Sequence, residues 1–448
     1  MDIQLLAAVL VGISILLFLI LRLKLQAFLA LLITCIVVGV NAGMDPKSIL
    51  DSVKNGMGGT LGFVATVVGL GALFGAILER SGGAQRLAQY LLKAFGIEKS
   101  PWAVMITGFL VAIPVFFDVA FIILVPIIYA LQKQTKKSLI LYAIPLLAGL
   151  AITHTFIPPT PGPIAVADIL GADLGYVIIF GLLAGIPAAI IAGPLFAKML
   201  SKKMHIESPE EMISKTEIPE NAPSAGTIVL IIAIPIFLIV CNTVLGSPLF
   251  DQEQLPTWLS YSAGLLGHPF VALIIANLVA WYFLGVRKGF PKSQLLDIST
   301  KSLYPAGVII LLTGAGGAFK QVLIDTGAGT MIAEGLSGDF FPPVIFGFLV
   351  AAIVRILQGS ATVAMITAAG ITAPILEIAA PSAPQLAVLV IAIASGATIF
   401  SHVNDSGFWL VKQYLGLTEK HTFRSWTVMT SLIAVVGLVV STVLWYVV

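Results

Sequence analysis

SHVNDSG, residues Ser401 to Gly407, interrupts a long apolar run that extends from Leu386 to Phe400 on one side and from Phe408 to Val411 on the other. Five of its seven side chains are polar, Asp405 carries charge, and Gly407 lets the backbone leave helical geometry. At the depth its flanks imply, bare backbone and an ionisable group cost several kcal/mol each unless they are buried in protein or face a water-filled cavity. A broken transmembrane helix with polar residues at the break is therefore a binding-site expectation. The rest of the chain reads as the means of holding that break against a counterpart.

The 448 residues are 58% hydrophobic and 10% charged, against about 25% charged in a soluble domain. The chain reads as an all-α polytopic membrane protein. Cys35 and Cys241 lie within apolar runs and read as buried thiols, not as a disulfide or a metal site. There is no CxxC, HExxH or glycine-rich nucleotide loop, so no metal, cofactor or nucleic acid is expected. The first apolar run, Ile3 to Leu21, lacks a basic n-region and an A-x-A-like cleavage site, and reads as a retained span.

A span needs about 20 apolar residues. The first repeat, 1–200, offers spans near 2–21, 25–42, 60–79, 138–170 and 175–200, the fourth broken at 153–163 by THTFIPPTPGP. The segment 101–131 is apolar but punctuated by Pro114, Asp118 and Pro126, and reads as a re-entrant hairpin with two arms too short to cross. Residues 201–225 form a polar cytoplasmic linker. The second repeat, 226–448, offers spans near 226–246, 263–285, 305–325, 384–413 and 424–447, with a hairpin at 342–375 and a break at 401–407. Gly69, Gly71, Phe74, Leu78, Gly82 and Ala88 match Gly314, Gly316, Phe319, Leu323, Gly327 and Ala333 at a constant spacing, and GFLVA occurs at both 108–112 and 347–351. His154 and His402 each follow a hydroxyl residue at a break.

Five spans per repeat is an odd number, so the repeats should be inverted. The distribution of basic residues agrees: with both termini outside, 20 of the 24 Lys and Arg fall in cytoplasmic segments. Lys320 and Arg355 are left at membrane depth, Lys320 expected to reach the outer boundary or pair with an acid such as Asp325.

Four polar stations then converge near the midplane: IPVFFD ending at Asp118, the first break, RILQGSAT from Arg355 to Thr362, and the second break. Facing helix ends supply N–H groups for anions and C=O groups for cations or hydroxyls. The expected substrate-binding residues are Arg355, Gln358, Gly359, Ser360, Thr362, Thr153, His154, Thr160, Gly162, Ser401, His402, Asn404 and Ser406. Asp405 and Asp118 are the expected proton-coupling groups, with capping of the breaks as the alternative role for each carboxylate. Such a lining suits a small hydroxylated or amino-substituted organic anion. An intramembrane enzyme built on Asp118 and Asp405 is the contrasting reading; inverted halves argue against it, since alternating access gains from them and catalysis does not.

GSATVA at 359–364, SHVNDSGFW at 401–409, PPTPGP at 158–163 and GGTLG at 58–62 resemble the signature segments of the gluconate permease family, over essentially the whole chain. The resemblance implies a bacterial inner-membrane proton symporter for gluconate or a related sugar acid, with a D-serine-like or sodium-coupled carrier as the alternative. It also implies a homodimer within a superfamily of carriers with two opposed hairpins, some of which move as elevators. Where gluconate carriers are expected to place a histidine between the prolines, this chain has Thr160.

Overall fold

A computed structural model describes residues 3–209, 222–247, 250, 255–327 and 342–448. The expected linker is thus described only at its two ends, and Ala333 of the repeat lies outside the described residues. The described residues form helices and connecting turns, with no strand among them.

In the first half, α1 (Ile3–Leu21) and α2 (Ala27–Asn41) lead into a long α3 (Pro46–Arg80) and an amphipathic α4 (Gly83–Phe95). Then follow α5 (Ser100–Val111), α6 (Phe117–Thr135), α7 (Ile140–Phe156) and α8 (Pro161–Leu170). A final α9 (Leu174–Ile190) passes through a π turn into α10 (Phe196–Ser201). The second half opens with α11 (Ala225–Leu245), α12 (Thr257–Leu266) and α13 (Pro269–Ala280), and continues into a long α14 (Lys292–Asp325). After it come α15 (Pro343–Gln358), α16 (Ala361–Ala379), α17 (Ala383–Thr398) and α18 (Ser406–Tyr414). The chain closes with α19 (Glu419–Thr422), a π turn over Phe423–Thr427, and α20 (Val428–Val447).

Eight helical stretches among the described residues are long and apolar enough to cross a membrane. The protein is a multi-pass membrane protein. Several bounds differ from those read in the sequence. Pro126 does not divide α6, which runs 19 residues and is itself long enough to cross, so the second arm of the first hairpin is longer than expected. The spans placed at 60–79 and 305–325 are the apolar ends of 35- and 34-residue helices. The span placed at 263–285 is split where α12 ends at Gly267 and His268 caps α13. The first break is shorter than the stretch that announced it, 157–160 separating α7 from α8, while the second keeps its length but begins two residues earlier, 399–405 separating α17 from α18.

At about 1.5 Å per residue, α3 reaches roughly 52 Å, well beyond a hydrocarbon core of about 30 Å. Its start is fixed by Asp45, whose carboxylate accepts from the Lys47 and Ser48 amides, with Pro46 in the first turn. The Ser48 hydroxyl also donates to Asp45, and this bond leads the causes that hold the carboxyl below its ordinary value. α3 and α14 run antiparallel, with Ser52 donating to Asp325 at 2.5 Å. Lipid gives helices no hydrophobic reason to associate, so contact depends on close approach of backbones over small residues. Here Gly56 faces Gly317 and Ala318, Gly317 faces Thr60, and Gly314 faces Met57 and Leu61.

This packing makes a sharp comparison. A Cβ at Gly56 would lie 2.4 Å from the Gly317 carbonyl, whereas one at Gly59, less than a turn away, meets nothing within 4 Å. Gly56→Ala should cost about 1–3 kcal/mol, read as a lowered melting temperature. Gly59→Ala should stay within about 0.5 kcal/mol of the parent.

Candidate functional site

The turn between α15 and α16 and the break between α17 and α18 are bonded into one unit. Asn404 Nδ2 donates to the Ile356 carbonyl at 2.9 Å, and His402 Nε2 lies 2.9 Å from the same oxygen. Gly359 closes α15 at φ +93, and a Cβ there would sit 2.3 Å from the Asn404 carbonyl. Ser360 caps α16 by accepting from the Val363 amide. Asp405 caps α18, its Oδ1 accepting from the Gly407 amide at 3.0 Å.

Across this junction Arg355 Nη2 donates to Asp405 Oδ2 at 2.5 Å. Arg355 is 5% exposed and Asp405 9%. The same carboxylate oxygen accepts from the Ser401 hydroxyl, which in turn accepts from Trp426 Nε1 at 2.6 Å. Thr427 donates to the Ser401 carbonyl and Thr430 accepts from its amide, so the π turn before α20 holds the break from behind. Arg355 Nε and Nη1 are buried without a hydrogen-bond partner, as is His154 Nδ1. Buried charge-bearing donors are costly to leave unpaired. This arginine is satisfied on one side only.

A cavity of about 490 Å³ opens beside it. Its polar wall comes from Arg355, Gln358, Gly359, Ser360 and Thr362 on one hairpin, and from Asn404, Asp405 and Ser406 on the break. Asp118 at the start of α6 and His154 on α7 face the same space. The opposite wall is apolar, with Phe116, Phe117 and Val119 from the other hairpin and Pro305 and Ile309 from α14. A second cavity of about 440 Å³ shares Phe116, Val119 and Pro305, and continues to Glu79, Arg80, Asp297 and Lys301.

Ten of the residues singled out from sequence therefore meet around one cavity. Five do not line it. Thr153 donates to the Phe109 carbonyl at 2.9 Å, tying α7 to α5, and Thr160 donates to the Ile157 carbonyl at 2.6 Å within its own turn. Gly162 is pressed against Met365, Ser401 lies behind Asp405, and His402 lies against the Ile356 carbonyl. The sequence reading missed Phe116, Phe117, Thr398, Trp426 and Thr430, all of which line the cavity. One signal was present for the last two: Ser425, Thr427 and Thr430 cluster around Trp426 in an otherwise apolar span. Lys320 donates to the Ile169 carbonyl at 2.6 Å, while Asp325 accepts from Ser52 and Gln321.

The hairpin–break junction can be tested at Gly359. Gly359→Ala adds a Cβ into the Asn404 backbone and forces an L residue into left-handed geometry. It should lower stability by about 1–3 kcal/mol and open the site, seen as a lowered melting temperature together with faster hydrogen exchange in 356–362 and 399–407.

The chain matches the GntP family permease family over residues 4–448. It is 40% identical to the low-affinity gluconate transporter of Escherichia coli K12, covering 96% of this chain and 95% of that protein. Identity is also 40% with the gluconate permease of Pseudomonas aeruginosa, over 98% and 97%. It is 38% with the Gnt-II system L-idonate transporter of E. coli K12, over 95% and 96%. In fold, the chain is similar to the crystal structure of the Alcanivorax borkumensis YdaH transporter, at a TM-score of 0.63 and 16% identity, covering 90% of this chain and 89% of that one. The long helix pair, the bonded hairpin and break, and full-length likeness to transport proteins agree, and this chain belongs to the GntP family of permeases, a membrane transporter and not an enzyme.

Proposed function

We propose that this permease imports gluconate or a closely related sugar acid by proton symport across a bacterial inner membrane. The observation that carries the reading is Arg355: a buried guanidinium with two unpartnered nitrogens beside a cavity walled by hydroxyl and amide groups. An arginine can hold a carboxylate through two parallel bonds, and Gln358, Ser360, Thr362 and Asn404 offer partners for substrate hydroxyls. Relatives named for gluconate and L-idonate support the sugar-acid class. Asp118 is a second carboxylate in the same cavity and would also suit an ammonium group, which favours a D-serine-like amino acid as the second reading.

In this reading the two halves are inverted repeats. The order long helix, paired helices, broken helix, final helix occurs in each, which supports it. The hairpin–break unit carrying Arg355 would move against α3 and α14 in an elevator-type step, in a carrier that assembles as a dimer. Asp405 is the first candidate for the proton and Asp118 the second, because each is a carboxylate at a helix start facing the substrate space.

Arg355→Lys should fold and insert normally but bind gluconate about 30- to 5,000-fold more weakly, the consequence of losing about 2–5 kcal/mol from a desolvated charge pair. Glucose, which lacks the carboxylate, should bind the parent no better than it binds the variant. Thermal-shift titration with gluconate, glucose and D-serine reads all three; unchanged gluconate affinity in a well-folded Arg355→Lys protein removes the arginine from the site. Asp405→Asn should lose uphill accumulation in proteoliposomes while keeping exchange. If it still concentrates gluconate under a proton gradient, Asp405 is not the proton carrier.

A further inference from the structure

The central cavity continues toward the Arg80 end of α3 and the Lys292 end of α14. Toward the other end the seam between this helix pair and α8 and α16 is tightly packed. A Cβ at Gly316 of α14 would lie 2.3 Å from Ile366 of α16, and one at Gly370 of α16 would lie 3.4 Å from Phe319 of α14. Gly162 at the head of α8 is pressed as closely on Met365 of α16, so α8 and α16 are in firm contact.

Set into this seam is a charged cluster that the substrate cavity does not use. Lys320 of α14 donates to the Ile169 carbonyl in the last turn of α8 at 2.6 Å. Asp168 of α8, the neighbour of Ile169, interacts electrostatically with Lys320 and lies beside Thr60 of α3, the central residue of GGTLG. The end of α8 is thereby bonded to α14 and lies against α3. Charged groups set into a seam that never opens contribute little beyond what apolar packing would, because desolvation offsets their attraction. In a seam that alternates between dry and wet the same groups have two satisfied states, paired when closed and hydrated when open.

We propose that Lys320, through its bond to the Ile169 carbonyl and with Asp168 and Thr60 beside it, forms a latch that holds this end of the carrier closed, and that the step opening it breaks that bond. The inference rests on the chain being a permease and not on which substrate it carries.

A reversible cross-link tests it. In Thr60→Cys/Asp168→Cys, oxidation should join the two positions, detected as a linked peptide by mass spectrometry. Gluconate uptake should then fall by on the order of tenfold or more and return on reduction. A cross-linked carrier with undiminished uptake overturns the latch, and so does failure of the two cysteines to join. If the unmodified carrier does not take up gluconate, the substrate reading has failed, and a second measurement decides the latch without substrate. Lys320→Met/Asp168→Asn removes both charges together, so neither is left buried and alone. Ala369, fully buried and one helical step from Ile366, serves as Ala369→Cys reporter in a Cys35→Ala/Cys241→Ala background. In purified, folded protein the double variant should raise the rate of reporter labelling by on the order of tenfold; an unchanged rate overturns the proposal.

Discussion

The bond between Arg355 and Asp405 is the interaction on which the centre of this molecule depends. Neither group is tolerable alone at 5% and 9% exposure in a low-dielectric surround. Each therefore fixes the position of the other, and Ser401, Trp426 and the Gly407 amide complete the shell around the carboxylate. The carboxylate performs two tasks with two oxygens: one caps α18, the other holds the guanidinium. A helix that restarts in mid-membrane needs such a cap, because no water is at hand to take up its first N–H groups.

A different rule governs the periphery. α3 and α14 meet through glycine, alanine and threonine, and each extends well past the length that a bilayer demands. Their contact is made of shape, not charge, apart from the bond between Ser52 and Asp325. The cavity beside Arg355 touches α14 through Pro305 and Ile309. The long pair thus borders the site without supplying its polar groups, which come from the hairpins, the break at 399–405, α7 and the turn before α20.

Much of the site was legible because polar residues in an apolar run are expensive. Arg355, Asp405 and the segment around them stood out on that ground alone. Cost says only that a polar group must be satisfied, not by what. Thr153 and Thr160 looked like lining residues, yet Thr153 spends its hydroxyl on the Phe109 carbonyl of α5 and Thr160 on the Ile157 carbonyl of its own turn. Conversely, Phe116, Phe117 and Trp426 reach the cavity through helix adjacency, which periodicity within one segment cannot reveal. The second arm of the first hairpin was read too short because Pro114, Asp118 and Pro126 were taken to punctuate an apolar stretch closing at 131; the helix instead starts at Phe117, accommodates Pro126 and runs on to Thr135.

The cavity lining has a consequence in the electric field of a membrane. One guanidinium and two carboxylates face the same space. With both carboxylates ionised, the empty site bears a single net negative charge, and an organic acid bound there adds another. Moving one uncompensated charge through about 100 mV costs about 2.3 kcal/mol. Under the proposed proton symport, a proton taken up with each substrate would return the loaded site to the charge of the empty one. Loaded and empty forms would then cross the field on equal terms, and the membrane potential would neither drive nor oppose the cycle.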